Sequence, residues 1–184
     1  MAQFAGAVPG LTDPLAPPVI KPVWQTVREA ALQPQASLKV PPPIVASGLP
    51  VPRWVTIKAG RVNVRRGPSM EQDILWTYVR AGMPIEVIAE YDTWRRIRDA
   101  DGATGWVKSA MLDGRRNVVI RGRLNAEFMS EPKDESRTVA YAEPGLVAEL
   151  VSCAGAWCEV TSRGYDGYVR RDRLWGVYPH ETIR

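Results

Sequence analysis

Two cysteines, Cys153 and Cys158, stand close together in VSCAGAWCEV beside Trp157, and four chemistries use cysteines so spaced: a metal site, a redox pair, a nucleophile or a structural disulfide. A cysteine nucleophile needs a base. The single histidine, His180, lies in the polar tail PHETIR, where a surface position is expected. Two cysteines and one histidine offer three metal ligands, whereas a structural zinc site takes four. Asp99 and Asp101 precede Gly102 in a turn, a setting that predicts carboxylates closing on backbone amides instead of acid–base work. There is no glycine-rich phosphate loop. These residues predict a noncatalytic chain with no metal and no small-molecule cofactor.

Charge narrows the partners. The formal net charge is +4, and the arginine clusters 95–98, 115–116 and 170–173 have acidic neighbours such as Asp99, Asp113 and Asp172. That pattern predicts a solvated, ion-paired face and gives little support to nucleic acid, which usually needs an unbroken basic stripe. No apolar run reaches the roughly 18 to 20 residues of a membrane helix. The first twenty residues do not read as a secretory signal, because no basic start precedes an apolar block and Pro9, Pro14, Pro17 and Pro18 interrupt it.

Eleven of the sixteen prolines fall before residue 53. Residues 1–53 therefore read as an extended arm. A short helix is expected over 22–33, with Trp24, Val27 and Ala31 on one face, followed by the polyproline-like PPPIVASGLPVP. The arm is either a spacer or a docking element, its apolar residues Phe4, Leu15, Ile20 and Trp24 burying against its own barrels or in a membrane-bound complex.

Beyond the arm the chain repeats. Residues 61–112 lie over 123–174 at offsets of 62 or 63: Arg61 and Asn63 on Arg123 and Asn125, Gly82 on Gly145, Trp94 on Trp157, Ile97 on Val160, Gly105-Trp106-Val107 on Gly167-Tyr168-Val169, and Leu112 on Leu174. Within the first copy the β-branched and aromatic runs 54–58, 61–65, 74–80, 85–90, 94–98 and 105–108 read as strands, separated by turn compositions. In IEVIAE the alternation sets Ile85, Val87 and Ala89 against Glu86, Ile88 and Glu90. Five or six short strands in about 60 residues suit a small, strongly bent barrel. The division is 1–53 arm, 54–114 first barrel and 115–184 second barrel with a tail.

RVNVRRGPS, then Trp94-x-x-Ile97, then G-x-x-G-W-V and a closing Leu112 resemble the bacterial SH3-like domain. On this alignment the second copy replaces the RGPS turn with Glu127-Phe128-Met129-Ser130. The tandem, with its C…WC pair and an ending at Gly164-Tyr165-Asp166-Gly167 and Leu174-Trp175-Gly176-Val177-Tyr178-Pro179, resembles a family of exported alphaproteobacterial proteins. The resemblance implies an all-β fold of two tandem SH3-like barrels, a periplasmic or otherwise exported location, and recognition of a peptide, peptidoglycan or an envelope protein. An accessory subunit held in a membrane-associated complex by its arm is the alternative, and a nucleic-acid-binding barrel the third reading.

Aromatic side chains are the natural material of a binding surface. Trp94 and Trp157 recur at strand starts and are expected to be structural. Trp106 and Tyr168 precede core valines with the opposite parity, so partial exposure is expected there. The first copy is favoured as the binder, with Tyr91, Arg96 and Trp106, together with Tyr168, as contacts. The repeat also sets Cys153 on Glu90 and Cys158 on Arg95, flanking the turns AGAW and YDTW. Each pair is expected to face across a hairpin. One copy would close with opposite charges and the other with a disulfide, which favours an oxidising compartment.

Overall fold

The computed structural model describes residues 47–184. The expected helix over 22–33 and the arm residues Phe4, Leu15, Ile20 and Trp24 lie outside them. The β-branched and aromatic runs form β1 (Arg53–Ile57), β2 (Val62–Arg65), β3 (Ile74–Tyr78), β4 (Pro84–Tyr91), β5 (Trp94–Arg98) and β6 (Thr104–Lys108). A 3-10 turn, Ser109–Met111, leads into β7 (Leu112–Asp113). The second series is β8 (Asn117–Ile120), β9 (Ala126–Met129), β10 (Thr138–Ala142), β11 (Val147–Ala154), β12 (Trp157–Ser162) and β13 (Tyr165–Arg170), then the 3-10 turn Arg171–Arg173 and β14 (Leu174–Trp175). The two sheets run β3-β2-β6-β5-β4-β1-β7 and β10-β9-β13-β12-β11-β8-β14, the same topology twice. The fold is all-β, two tandem SH3-like barrels.

The cores match residue for residue. Val55, Ile57, Val62, Val64, Ile85, Val87, Ile97 and Val107 fill the first. Val118, Ile120, Ala126, Phe128, Ala148, Leu150, Val160 and Val169 fill the second. Val62 and Val64 become Ala126 and Phe128, a small residue beside a large one, and Ile85 and Val87 become Ala148 and Leu150. The first exchange keeps core volume near constant, which a packed interior tolerates best, and in the second Leu150 makes good only part of what Ala148 gives up.

The β2–β9 equivalence corrects the sequence alignment there. Arg65 pairs with Trp106 and Met129 with Tyr168, so the offset in this strand is 64 and Asn63 matches Glu127, not Asn125. One extra residue between β8 and β9 causes the shift. Consequently the RGPS turn is not replaced by 127–130. Arg66 N–H bonds to Asp73 O and Ser130 N–H to Arg137 O, each at 2.9 Å, which sets Pro68 on Pro132 in loops of equal length.

A bulge corrects the reading of IEVIAE. Register shifts between Val87 and Ala89 in β4 and between Leu150 and Ser152 in β11. An extra residue in one strand of a pair reverses the alternation beyond it. Glu90 therefore joins the face of Val87, only 1% exposed, and Cys153 joins that of Leu150. Glu86 keeps its outer face, yet it is buried at 3%, because the second barrel covers it. There Tyr178 donates to Glu86 Oε1 at 3.0 Å, Asn117 Nδ2 donates to Gly82 O at 2.8 Å, and Trp54 meets Trp175 edge to face with ring centres 4.7 Å apart.

The tail fastens this junction. Arg116 grips Glu181 through its Nη1 and Nη2, at 2.6 and 2.9 Å, and Arg171 Nη1 donates to the carbonyls of Tyr178, Pro179 and Glu181. Burial, followed by the bond to Glu86, pushes the Tyr178 hydroxyl up. Burial also works to raise Glu181, but Arg116 and the Tyr178 N–H outweigh it and hold that carboxyl below its ordinary value. The arginine clusters are engaged, Arg115 by the expected Asp113 but Arg95 and Arg98 by Glu90 and Glu86 and Arg171 by carbonyls, and they are not uniformly solvated: Arg95 and Arg171 are buried.

Candidate functional site

The two hairpin ends carry the chemistry first noticed in the cysteines. Cys153 is the cross-strand partner of Cys158, and Glu90 of Arg95. The turns between them begin with Asp92 at φ 49° and Gly155 at φ 55°, left-handed positions that glycine and aspartate tolerate. Cys153 and Cys158 form a disulfide with Cα atoms 4.1 Å apart. In the other copy Arg95 Nε lies 3.0 Å from Glu90 Oε1. Arg53 also pairs with Glu90, and Ser47 donates to it from its N–H at 2.9 Å and its hydroxyl at 2.8 Å. Burial works to raise the Glu90 carboxyl, yet the bonds from Arg53 and Ser47 outweigh it and hold it below the ordinary value. The tail covers the other clip: Cys153 and Ile183 exchange backbone hydrogen bonds at 3.0 Å in both directions. Both clips are closed structural units.

The open surface lies on the other side of the second sheet. Trp157 and Arg170 are cross-strand partners, as are Glu159 and Tyr168, Tyr168 and Met129, and Glu127 and Tyr141. One outer face thus runs across β12, β13, β9 and β10. Above it the β8–β9 loop contributes Arg123, Leu124 and Asn125, and the β9–β10 loop contributes Asp134. Together they bound an open groove of about 680 Å³. Arg170 lies 5.1 Å from the centre of the Trp157 ring and 2.9 Å from Asp134. Leu124 and Tyr141 are 77% and 67% exposed at its rim. A flat indole, a rim of apolar side chains and several guanidinium groups form a surface suited to an extended chain with polar ends.

The first barrel lays out the matching face differently. Trp94, with Lys108 5.7 Å from its ring centre, is 6% exposed, whereas Trp157 is half-buried. Trp106 has the expected outward parity but is not partly exposed: at 3% it is buried, in register between Arg65 and Arg96. Tyr91 and Arg96 are half-buried on β4 and β5, Tyr91 paired with Trp94 and Arg96 with Ala89 and Trp106. Tyr168 is half-buried on the same outer face as Arg170, two residues before it, beside the groove residue Met129 but outside the groove's own lining. The structure therefore brings Tyr91, Arg96 and Trp106 together on the first barrel and leaves Tyr168 on the second. The groove residues Trp157, Arg170, Arg123 and Tyr141 lie outside the contacts expected from the sequence. Their sequence signal was the tryptophan shared by both copies, which alone says nothing about which copy stays open.

His180 is exposed. Asp99 Oδ1 accepts from the N–H groups of Asp101 and Ala103 at 3.0 and 2.9 Å, closing the β5–β6 turn as expected. Among the described residues no group of three or more His, Cys, Asp or Glu side chains could hold a metal ion, and no helix is long and apolar enough to cross a membrane.

Comparison with known proteins adds two findings. The model of the bacterial SH3 domain matches residues 58–114 and again 125–176. Among solved structures, NlpC2 and NlpC1 from Trichomonas vaginalis are similar at 13% and 14% identity. The matches cover 67% and 70% of this chain, about half of each of those chains (48% and 47%), with a TM-score of 0.32 in both cases, too low to carry an argument. No curated protein matches.

Proposed function

The chain belongs to the bacterial SH3 domain family, and on that footing we propose that it is a noncatalytic binding module of the cell envelope whose second barrel holds a cell-wall peptide. The observation that carries this reading is the half-buried Trp157, flanked by Arg170 in an open groove, where the equivalent Trp94 of the first barrel is buried. Both cysteines are engaged in a buried disulfide, which supports a structural role for them and an exported, oxidising location for the protein. Many of the arginines are engaged by carboxylates or carbonyls, which favours a peptide over a nucleic acid as the ligand.

The test is retention of the full chain on purified peptidoglycan sacculi. The unaltered protein is expected in the pellet, Trp157→Ala in the supernatant, and a variant distant from the groove, Met70→Ala, in the pellet. Failure of the unaltered protein to sediment, with an envelope protein captured instead, would overturn the wall-peptide reading in favour of a protein partner.

A further inference from the structure

We infer that the second-barrel groove selects an ampholytic peptide, one carrying both a carboxylate and a primary amine; the inference deepens the binding reading above and rests on it. Five charged side chains line the groove: Arg123, Glu127, Asp134, Arg170 and Arg173. Asp134 and Arg170 satisfy each other at 2.9 Å. Arg123, Arg173 and Glu127 have no ion-pair partner among the described residues, and they define what the groove asks of a ligand.

Arg173 is a cation held in place. Its Nε donates to Arg121 O at 3.2 Å and its Nη2 to Leu124 O, so the β8–β9 loop wraps the guanidinium, and a Cβ added at Gly122 would lie 3.1 Å from Nη2. Nη1 has no hydrogen-bond partner among the described residues and keeps its donors for a ligand. A guanidinium fixed by two carbonyls loses little freedom when it binds a carboxylate, and Arg123 beside it supplies a second set of donors. Glu127 sits on β9 opposite Tyr141, on the outer face and exposed to solvent, where it can accept an ammonium group. Leu124 and Tyr141 offer apolar area to the stem of the chain.

Charge complementarity ranks the simpler ligands lower. A polyanion would meet the repulsion of Glu127, and a polycation that of Arg123 and Arg173. A peptide with both charges satisfies all three side chains.

The experiment is a chemical-shift titration of the full, isotopically labelled chain with the peptide Ala-Glu-Lys-Ala in three forms: unmodified, with its carboxylates amidated, and with its amines acetylated. The unmodified peptide is expected to shift the Trp157 indole and the loop signals of 121–125. Each blocked form should bind about tenfold more weakly or worse, the scale of losing a charged hydrogen bond. Arg123→Gln, at an exposed residue with no ion pair among the described residues, should erase much of the amidation penalty, and Glu127→Gln much of the acetylation penalty. Equal binding of the three forms, or shifts confined to another face, would overturn the inference. Retention on sacculi together with equal peptide binding removes the charge selection alone. Loss of retention together with discrimination among the peptides upholds the charge selection and removes the wall as its source. Undiminished retention on glycan strands stripped of peptide overturns the inference, because the sugar would then be what binds.

Discussion

Replacing Glu90 by Gln tests whether the first barrel depends on a buried charge where the second uses a covalent bond. The Glu90 carboxylate is 1% exposed and faces the guanidinium groups of Arg53 and Arg95, whose side chains are 18% and 10% exposed. Removing one partner of a buried pair costs about 3 to 5 kcal/mol, because the charge left behind remains desolvated. Glutamine still accepts from the Ser47 N–H and hydroxyl, and both arginines keep some contact with water, so the lower end, about 3 kcal/mol, is expected. The pH dependence has a definite sign. The Glu90 carboxyl is held below its ordinary value of 4.5, so its stabilisation is complete above that value and disappears as pH falls through the lower value of the folded state. Glutamine does not titrate. Urea unfolding followed by tryptophan fluorescence should therefore show a gap of about 3 kcal/mol between the two proteins at pH 7, closing as the solution is acidified below pH about 4.5. A gap under about 1 kcal/mol at pH 7, the size typical of exposed pairs, would refute the buried-pair reasoning. So would a gap that stays constant into acid.

Replacing both cysteines by alanine should cost about 2 kcal/mol on the loop-entropy estimate for a separation of five residues, read as a lower urea midpoint. Denatured but unreduced protein should yield no reactive thiol. Gly105→Ala should cost about 1 to 3 kcal/mol, because the new Cβ collides with Val64 Cγ1, and Gly167→Ala should be somewhat milder, its nearest neighbour being Phe128 Cβ at 2.9 Å. Tyr178→Phe removes a bond to the buried Glu86 carboxylate and should cost about 1.5 to 3 kcal/mol. Calorimetry should then show the two barrels melting further apart; an unchanged profile would mean that this bond does not couple them.

The strand pattern was legible because glycine, proline and β-branched residues act locally. The run 94–98 forms a strand over those residues, and the pairing of Glu90 with Arg95 and Cys153 with Cys158 followed from the repeat and the short turns that it frames. Two features escaped because they are insertions that composition does not mark. The bulge at Ile88 turned Glu90 inward, and one extra residue before β9 moved the register by one, so a retained turn looked lost. Exposure escaped for another reason. The parity of Trp106 was right, but parity gives the direction of a side chain and not what covers it, and here its cross-strand neighbours are Arg65 and Arg96. For the same reason Trp157 and Trp94, equivalent in sequence, differ in the fold.

That difference bears on why two copies are kept. A barrel of about 60 residues buries little apolar surface for its length and depends on additional fastening. Each copy obtains it at the same inner position, one through Glu90, Arg95, Arg53 and Ser47, the other through the disulfide and the tail strand at Ile183. The outer faces are then free to diverge without disturbing either core. On the first, Asn63, Arg65 and Trp106 stand where the second has Glu127, Met129 and Tyr168, and Trp94 is closed over. The side of the first barrel bearing Trp54 and Glu86 is instead occupied by Trp175 and Tyr178 of the second. The first barrel thus spends exposed surface on holding its neighbour, and the second keeps a groove open. Variants at the junction such as Tyr178→Phe will therefore lower stability while leaving ligand affinity nearly unchanged, and Trp157→Ala will do the reverse.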